Sequence, residues 1–170
     1  MKKDDLFKLF MDELKDMLSA EHQIVEALPK MVKAASSDEL KDALSNHLKE
    51  TKEQVNRLKK VFSILGEKPA EIPCEGMNGI LAEGEEMIEG KSKSPTLDAA
   101  IISAAQKVEH YEIASYGTLR SFAKQLELDS EISTLLQANL DEEGAADKKL
   151  TKIAEGSFLV SGVNKSAASK

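Results

Sequence analysis

The chain has 170 residues, 41% of them hydrophobic, and carries 23 Lys and Arg against 30 Asp and Glu, a net charge of −7. That is enough apolar material for one domain with a sizeable core, and the acidic balance argues against a general nucleic-acid binder, which shows a basic excess on at least one segment. No apolar run approaches the roughly 18 residues of a membrane-spanning helix, Met1-Lys2-Lys3-Asp4-Asp5 turns acidic where a secretory signal turns apolar, and one cysteine makes neither an internal disulfide nor a Cys-based zinc site; the expectation is a soluble, cytoplasmic protein with no nucleic-acid or membrane partner.

Good helix formers dominate and β-branched alternation is nowhere sustained, so an all-α fold is expected. A first long helical pattern runs to Ser36-Ser37-Asp38. Pro29 lies inside it, but apolar spacing resumes at Met31 and Val32, which favours a kink over a break. Ser37 is a plausible N-cap for the second helix, and Gly66 is its C-terminal stop. From Gly66 to Pro95 prolines and glycines collect, leaving room for one short helix around Ile80, Leu81, Met87 and Ile88. Ser94-Pro95-Thr96 reads as the entry to a third long helix, and Leu128-Asp129-Ser130 as the hinge before a fourth. Two helical hairpins joined by a long crossover make a ferritin-like four-helix bundle rather than an up-down-up-down one. The domain is expected to cover residues 1–156, with a polar, frayed, flexible tail over 157–170.

Each buried stripe can be written at alternating steps of three and four. In the first helix it reads Phe7, Phe10, Leu14, Met17, Glu21, Ile24, Leu28, Met31, Ala35. In the third it reads Ile102, Ala105, Glu109, Glu112, Tyr116, Leu119, Ala123, Leu126, and in the fourth Leu136, Leu140, Glu143, Asp147, Leu150, Ala154. These stripes are apolar at both ends and acidic in the middle. The second helix is less regular: Leu44, Leu48, Val55, Leu58 and Phe62 form its seam, with His47, Glu50 and Gln54 just beside it, and both sets are expected to face inward on a wide buried face. In an antiparallel hairpin, residues equally far from the turn are level. Glu21 and Glu50 are centred on the first turn, while Glu112 with Glu143 and Glu109 with Asp147 are centred on the second.

Several ionised carboxylates cannot share a dry core, because each loses its hydration and repels the others. No Lys or Arg stands on the stripes at these heights. A dinuclear metal centre resolves the conflict: Glu21, Glu50, Glu109, Glu112, Glu143 and Asp147 would hold two cations per chain, and hard oxygen donors suit iron or manganese. Pairs one turn apart, Glu109 with Glu112 and Glu143 with Asp147, can face the same cavity. The alternative is that some of these glutamates are solvated helix flanks.

The runs His47-Leu48-Lys49-Glu50-Thr51, Lys107-Val108-Glu109-His110-Tyr111-Glu112-Ile113-Ala114-Ser115-Tyr116-Gly117-Thr118-Leu119 and Leu140-Asp141-Glu142-Glu143 resemble the YciF/YciE family of bacterial stress-response proteins, within the ferritin-like superfamily. The resemblance extends from about residue 4 to residue 155. It implies a four-helix bundle, a homodimer and a di-metal site of the rubrerythrin type, with Glu50 and Glu143 as bridges by analogy. It implies no defined reaction. Ferritin-like iron sites take Glu-x-x-His from the second and fourth helices, whereas here Glu53 follows Glu50 and Ala146 follows Glu143 at that spacing. His47 precedes Glu50 by three and either reaches the metal or hydrogen-bonds a ligand; Gln54 pairs with Glu50 four residues on.

His22 and His110 are turned off the buried line, Tyr116 lies on it, and Cys74 has no CxxC partner. The leading expectation is a di-iron or di-manganese oxidoreductase acting on a small oxidant, dioxygen or peroxide. The alternatives are a non-enzymatic helical stress protein with a structural metal, and an iron-storage or DNA-protection protein. An apolar face on the crossover helix (Met77, Ile80, Leu81, Met87, Ile88) is the expected dimer contact.

Overall fold

A computed structural model describes residues 2–157 and 160–169; Met1, Lys170 and, within the tail, Phe158 and Leu159 lie outside the described residues. The helices are α1 (Lys2–Ala34), α2 (Asp38–Ile64), α3 (Glu75–Ile88), α4 (Pro95–Gln125), α5 (Ser130–Glu155) and α6 (Val163–Ala168). The fold is all-α as expected, and among the described residues the extended pairing is limited to a single bridge between Gly156 and Ser161. No helix among them is long and apolar enough to cross a membrane.

The ends of the long helices follow from local chemistry. Ser37 caps α2 by accepting from Leu40 N–H, Ser94 caps α4 with Pro95 in its first turn, and Asp129 caps α5. After α2, Gly66 takes φ 74° while Gly66 N–H and Glu67 N–H donate to the carbonyls of Ser63 and Phe62. This is a Schellman stop, in which the left-handed residue is glycine because it has no Cβ to clash. The same pair of bonds ends α4, with Glu127 N–H on Lys124 and Leu128 N–H on Ala123. Helix α1 continues through Pro29 without a break.

The four long helices pack as a ring in the order α1, α2, α5, α4. Asp98 of α4 meets Ser36 and Tyr116 meets Glu21, so α4 runs antiparallel to α1. Gln54 reaches Glu143 and Lys60 reaches Glu131, so α5 runs antiparallel to α2. Helices α2 and α4 are therefore parallel, and the link between them must travel the length of the bundle. It does so along α1, where Ile72 N–H donates to the Lys15 carbonyl at 3.4 Å and Cys74 N–H to Ser19 Oγ at 3.2 Å. Helix α3 then lies over α1 and α4.

On α3 Met77 is fully buried, and Ile80, Leu81, Met87 and Ile88 pack half-buried against the chain's own core. One expectation is revised. The tail is not frayed throughout: α6 sits on α4 and α5, with Val163 against the core. Its path needs two glycines, since a Cβ on Gly156 (φ 80°) would lie 2.3 Å from Gly162 N.

The α1–α2 turn is tied to α4 by one buried carboxylate. Asp98 accepts from Ser36 N–H at 2.7 Å, Ser36 Oγ–H at 2.5 Å and Ser37 N–H at 2.9 Å. Replacing Asp98 by alanine is expected to cost about 2–3 kcal/mol, since hydrogen bonds to a charged group contribute more than neutral ones. Thermal unfolding should show a Tm lower by roughly 5–10 °C.

Candidate metal centre

Half-way along the bundle the apolar stripes give way to polar side chains. Helix α1 brings Glu21, α4 brings Glu109, Glu112 and Tyr116, α5 brings Asn139 and Glu143, and α2 brings His47, Thr51 and Gln54; all are buried. One donor atom each from His47, Glu109, Glu112 and Glu143 lie within 4.8 Å of one another, an arrangement that could hold a metal ion. His47 Nε2 stands 3.3 Å from Glu109 Oε1 and 3.9 Å from Glu143 Oε2. Glu21 closes the cluster from α1, where the Tyr116 hydroxyl donates to its Oε1.

On helix α2 the wide inward face is found: Leu44, Val55, Leu58 and Phe62 of the seam are buried together with His47 and Gln54, joined by Leu40, Thr51 and Val61, while Leu48 lies half-buried on the flank. Glu50, one position from Thr51, is turned by about 100°. Its side chain is 48% exposed, with Oε2 3.7 Å from His47 Nδ1. The imidazole of His47, and more weakly Lys149, hold its carboxyl below the usual range. On helix α5 Leu136, Glu143, Leu150 and Ala154 are buried as their spacing predicts, Ile132, Asn139 and Ile153 join them, and Leu140 and Asp147 are only half-buried. Asp147 is thus on the rim, 22% exposed, 3.4 Å from His110 Nε2 and accepting from Gln106 at 2.9 Å. Of the six acids expected to meet, Glu21, Glu109, Glu112 and Glu143 are in the core, and Glu50 and Asp147 flank it.

Burial sets the electrostatics. Glu109 and Glu112 are pushed well above the carboxylate range by desolvation first and then by Glu143 beside them, through a hydrogen bond for Glu109 and through charge for Glu112. Glu21 is raised by desolvation and by the charge of Glu143, against the opposing bond from Tyr116. Desolvation and the adjoining Glu21 likewise keep Tyr116 a neutral phenol and hence a donor. Among the described residues no lysine or arginine pairs with any of these four glutamates. Arg57, whose bonds reach Asn139 and Glu142 beside the cluster, is committed to Glu142 by two bonds of 2.7 and 2.8 Å and to Asn139 Oδ1 at 2.9 Å. Glu142 in turn accepts from Gln54 Nε2 at 3.0 Å, and the same amide donates to Glu143 Oε1. Arg57, Glu142, Asn139 and Gln54 form a support that sequence reasoning missed apart from Gln54.

Unpartnered polar atoms remain. Both His47 nitrogens, both Glu112 oxygens, and one oxygen each of Glu21, Glu109 and Glu143 are buried without a hydrogen bond. Buried polar groups are ordinarily satisfied, so such a convergence of imidazole and carboxylate lone pairs fits a cation held between them. The other singled-out residues lie elsewhere. His22 is exposed, 2.8 Å from Glu71. Cys74 is buried as the cap of α3, its Sγ 3.0 Å from the Tyr111 hydroxyl, which donates to Asp16.

The chain matches the domain of unknown function DUF892 over residues 5–168. It is 43% identical over 163 residues to Protein YciF of Escherichia coli K12, covering 95% of both chains. Among solved structures it is similar to YcfI of Rhodopseudomonas palustris, with 42% identity, TM-score 0.84, and coverage of 88% of this chain and 94% of that one. It is similar also to the E. coli stress protein YciF, with 42% identity, TM-score 0.82, and coverage of 86% and 92%. Matched along most of its length in both sequence and fold, the chain belongs to the DUF892 family of YciF-type proteins.

Proposed function

We propose that the mid-bundle cluster is a dinuclear carboxylate metal centre, holding iron or manganese, and that the protein carries out redox chemistry on dioxygen or peroxide as part of a stress response. One observation carries this reading: four fully buried glutamates and a histidine converge with unpartnered lone pairs and no basic side chain among them. The charge arithmetic points to two ions, because four carboxylates balance two divalent cations. Glu109, Glu112, Glu143 and His47 would supply the central donors, with Glu21 completing the set from α1. When bound, such metals supply one-electron chemistry toward small oxidants.

The surrounding residues have definite tasks. Tyr116 donates to Glu21 and leaves one oxygen of that carboxylate free to face the cluster. Gln54 does the same for Glu143, and its amide is fixed because Glu142 is clamped by Arg57. Outer partners of this kind orient ligands and tune their basicity. The apolar residues above and below exclude bulk water from the carboxylates.

Protein purified without chelator is expected to contain about two iron or manganese ions per chain, hard oxygen-rich sites selecting such metals. Elemental analysis should show that content falling by at least half in Glu112→Ala and Glu143→Ala. Metal content well below one per chain, unaltered in both variants, contradicts the proposal. The loaded protein should also consume hydrogen peroxide; full metal retention without oxidant turnover would leave the ions a structural role only.

The metal-free protein makes a separate prediction. Glu21, Glu109 and Glu112 bind their protons more tightly folded than unfolded. Their protonation therefore stabilises the fold at acid pH, and that contribution is lost as pH rises above the ordinary carboxyl range. The Tm of chelator-treated protein should fall as pH rises from about 5, the upper end of the ordinary carboxyl range, and metal should reverse the slope, since cations replace the protons. Differential scanning calorimetry with and without metal checks both signs.

A further inference from the structure

The cluster is not sealed on all sides. Between α2 and α5 lies a cavity of about 100 Å³ whose inner wall is His47 and Glu109 and whose side walls are Ala43, Ala145 and Ala146. It has room for a few water molecules, each with a share of about 30 Å³. Glu50, Asn46 and Lys149 also line it, and all three are exposed to solvent. At Ala43 and Ala146 the facing surfaces of α2 and α5 carry only a methyl group, and Leu44 and Leu150 complete the lining. Further along α2 the seam is bridged, with Gln54, Arg57 and Glu142 bonded together. What faces the cavity is chemically unsatisfied: both nitrogens of His47 and Oε2 of Glu109 are buried and lack hydrogen-bond partners.

We infer that this cleft between α2 and α5, floored by His47 and Glu109 and held open by Ala43 and Ala146, is the portal by which divalent cations enter and leave the buried cluster. The inference rests on the cluster binding metal. Leu44 and Leu150 complete its walls, and beside them Ala43, Ala145 and Ala146 contribute no more than a methyl group each. A hydrated cation meets the carboxylate of Glu50 at the mouth and then the imidazole of His47, 3.7 Å from Glu50 Oε2. Lys149 opposes that traffic by charge. Narrowing the walls raises one barrier shared by entry and exit, so it slows both rates equally and leaves affinity untouched.

The test is Co²⁺ exchange in the metal-free, full-length protein, followed by visible absorption in stopped flow, with release started by excess chelator. Ala146→Leu should slow uptake and release together by about tenfold, equivalent to about 1.4 kcal/mol of added barrier, with Kd unchanged. Lys149→Gln should speed uptake several-fold at low ionic strength, the gain vanishing near 0.5 M salt where exposed charges are screened. Co²⁺ binding with both rates unchanged in Ala146→Leu overturns the portal alone. So does faster release with weaker binding, which would make Ala146 a support of the ligands instead. If circular dichroism shows Ala146→Leu unfolded, Lys149→Gln decides, and unaltered low-salt uptake overturns the portal. A wild type that takes up no Co²⁺ overturns the metal reading and the portal with it.

Discussion

Four glutamates buried at one level of a helical bundle impose the constraint to which the rest of this molecule answers. Each carboxylate gives up its hydration on entering the core, at a cost of several kcal/mol, and each ionised neighbour adds repulsion. Glu21, Glu109 and Glu112 respond by holding their protons tightly. The bundle tolerates the cluster because it lies between two apolar zones. Phe10, Leu14, Leu58, Phe62 and Leu119 pack on one side, and Ile24, Leu28, Leu44, Ile101 and Leu150 on the other. Those zones fix the helices in place, so the acids cannot relieve their crowding by moving apart.

The polar side chains around the cluster are arranged asymmetrically. On the α1–α4 side a single phenol, Tyr116, serves Glu21. On the α2–α5 side a relay from Arg57 through Glu142 to Gln54 aims an amide at Glu143, while Asn139 braces the guanidinium. Arg57 is thereby prevented from neutralising the core: its charge is spent on Glu142, and the inner carboxylates are left for protons or cations. The same seam, a few residues away, opens at Ala43 and Ala146. One helix pair thus holds both the brace and the gap.

Membership of the DUF892 family and the likeness to YciF and YcfI fix the architecture over most of the chain. What the site does is argued from its donors. The position that helix α2 gives to the cluster is His47 rather than Glu50, which makes the donor set one imidazole among carboxylates. That substitution reduces the negative charge in the core by one and leaves Glu50 available at the surface.

The helix stops, the long crossover and the acid-centred stripes of α1 and α4 could be read from the chain alone, because caps, glycines and heptad spacing are local chemistry. Every stripe residue of α4 from Ile102 to Ala123 is buried as its spacing demands. The outward turn of Glu50 on α2 and the inward place of Asn139 on α5 could not be read in that way. Glu50 stands at the edge of the face that carries His47 and Gln54, where spacing alone does not separate buried from exposed; in α5 Leu140 drew the seam off Asn139 and toward Asp147. A buried amide or asparagine is stable only once its partners come from other helices, as Glu143 does for Gln54 and Arg57 for Asn139. The α6 turn has the same explanation: a short polar segment becomes a helix against α4 only because Gly156 and Gly162 let the backbone double back on itself. Sequence thus determined the helices and the acidity of their centres. Packing alone decided which acids meet, because the facing of a helix depends on the partners that satisfy its polar groups.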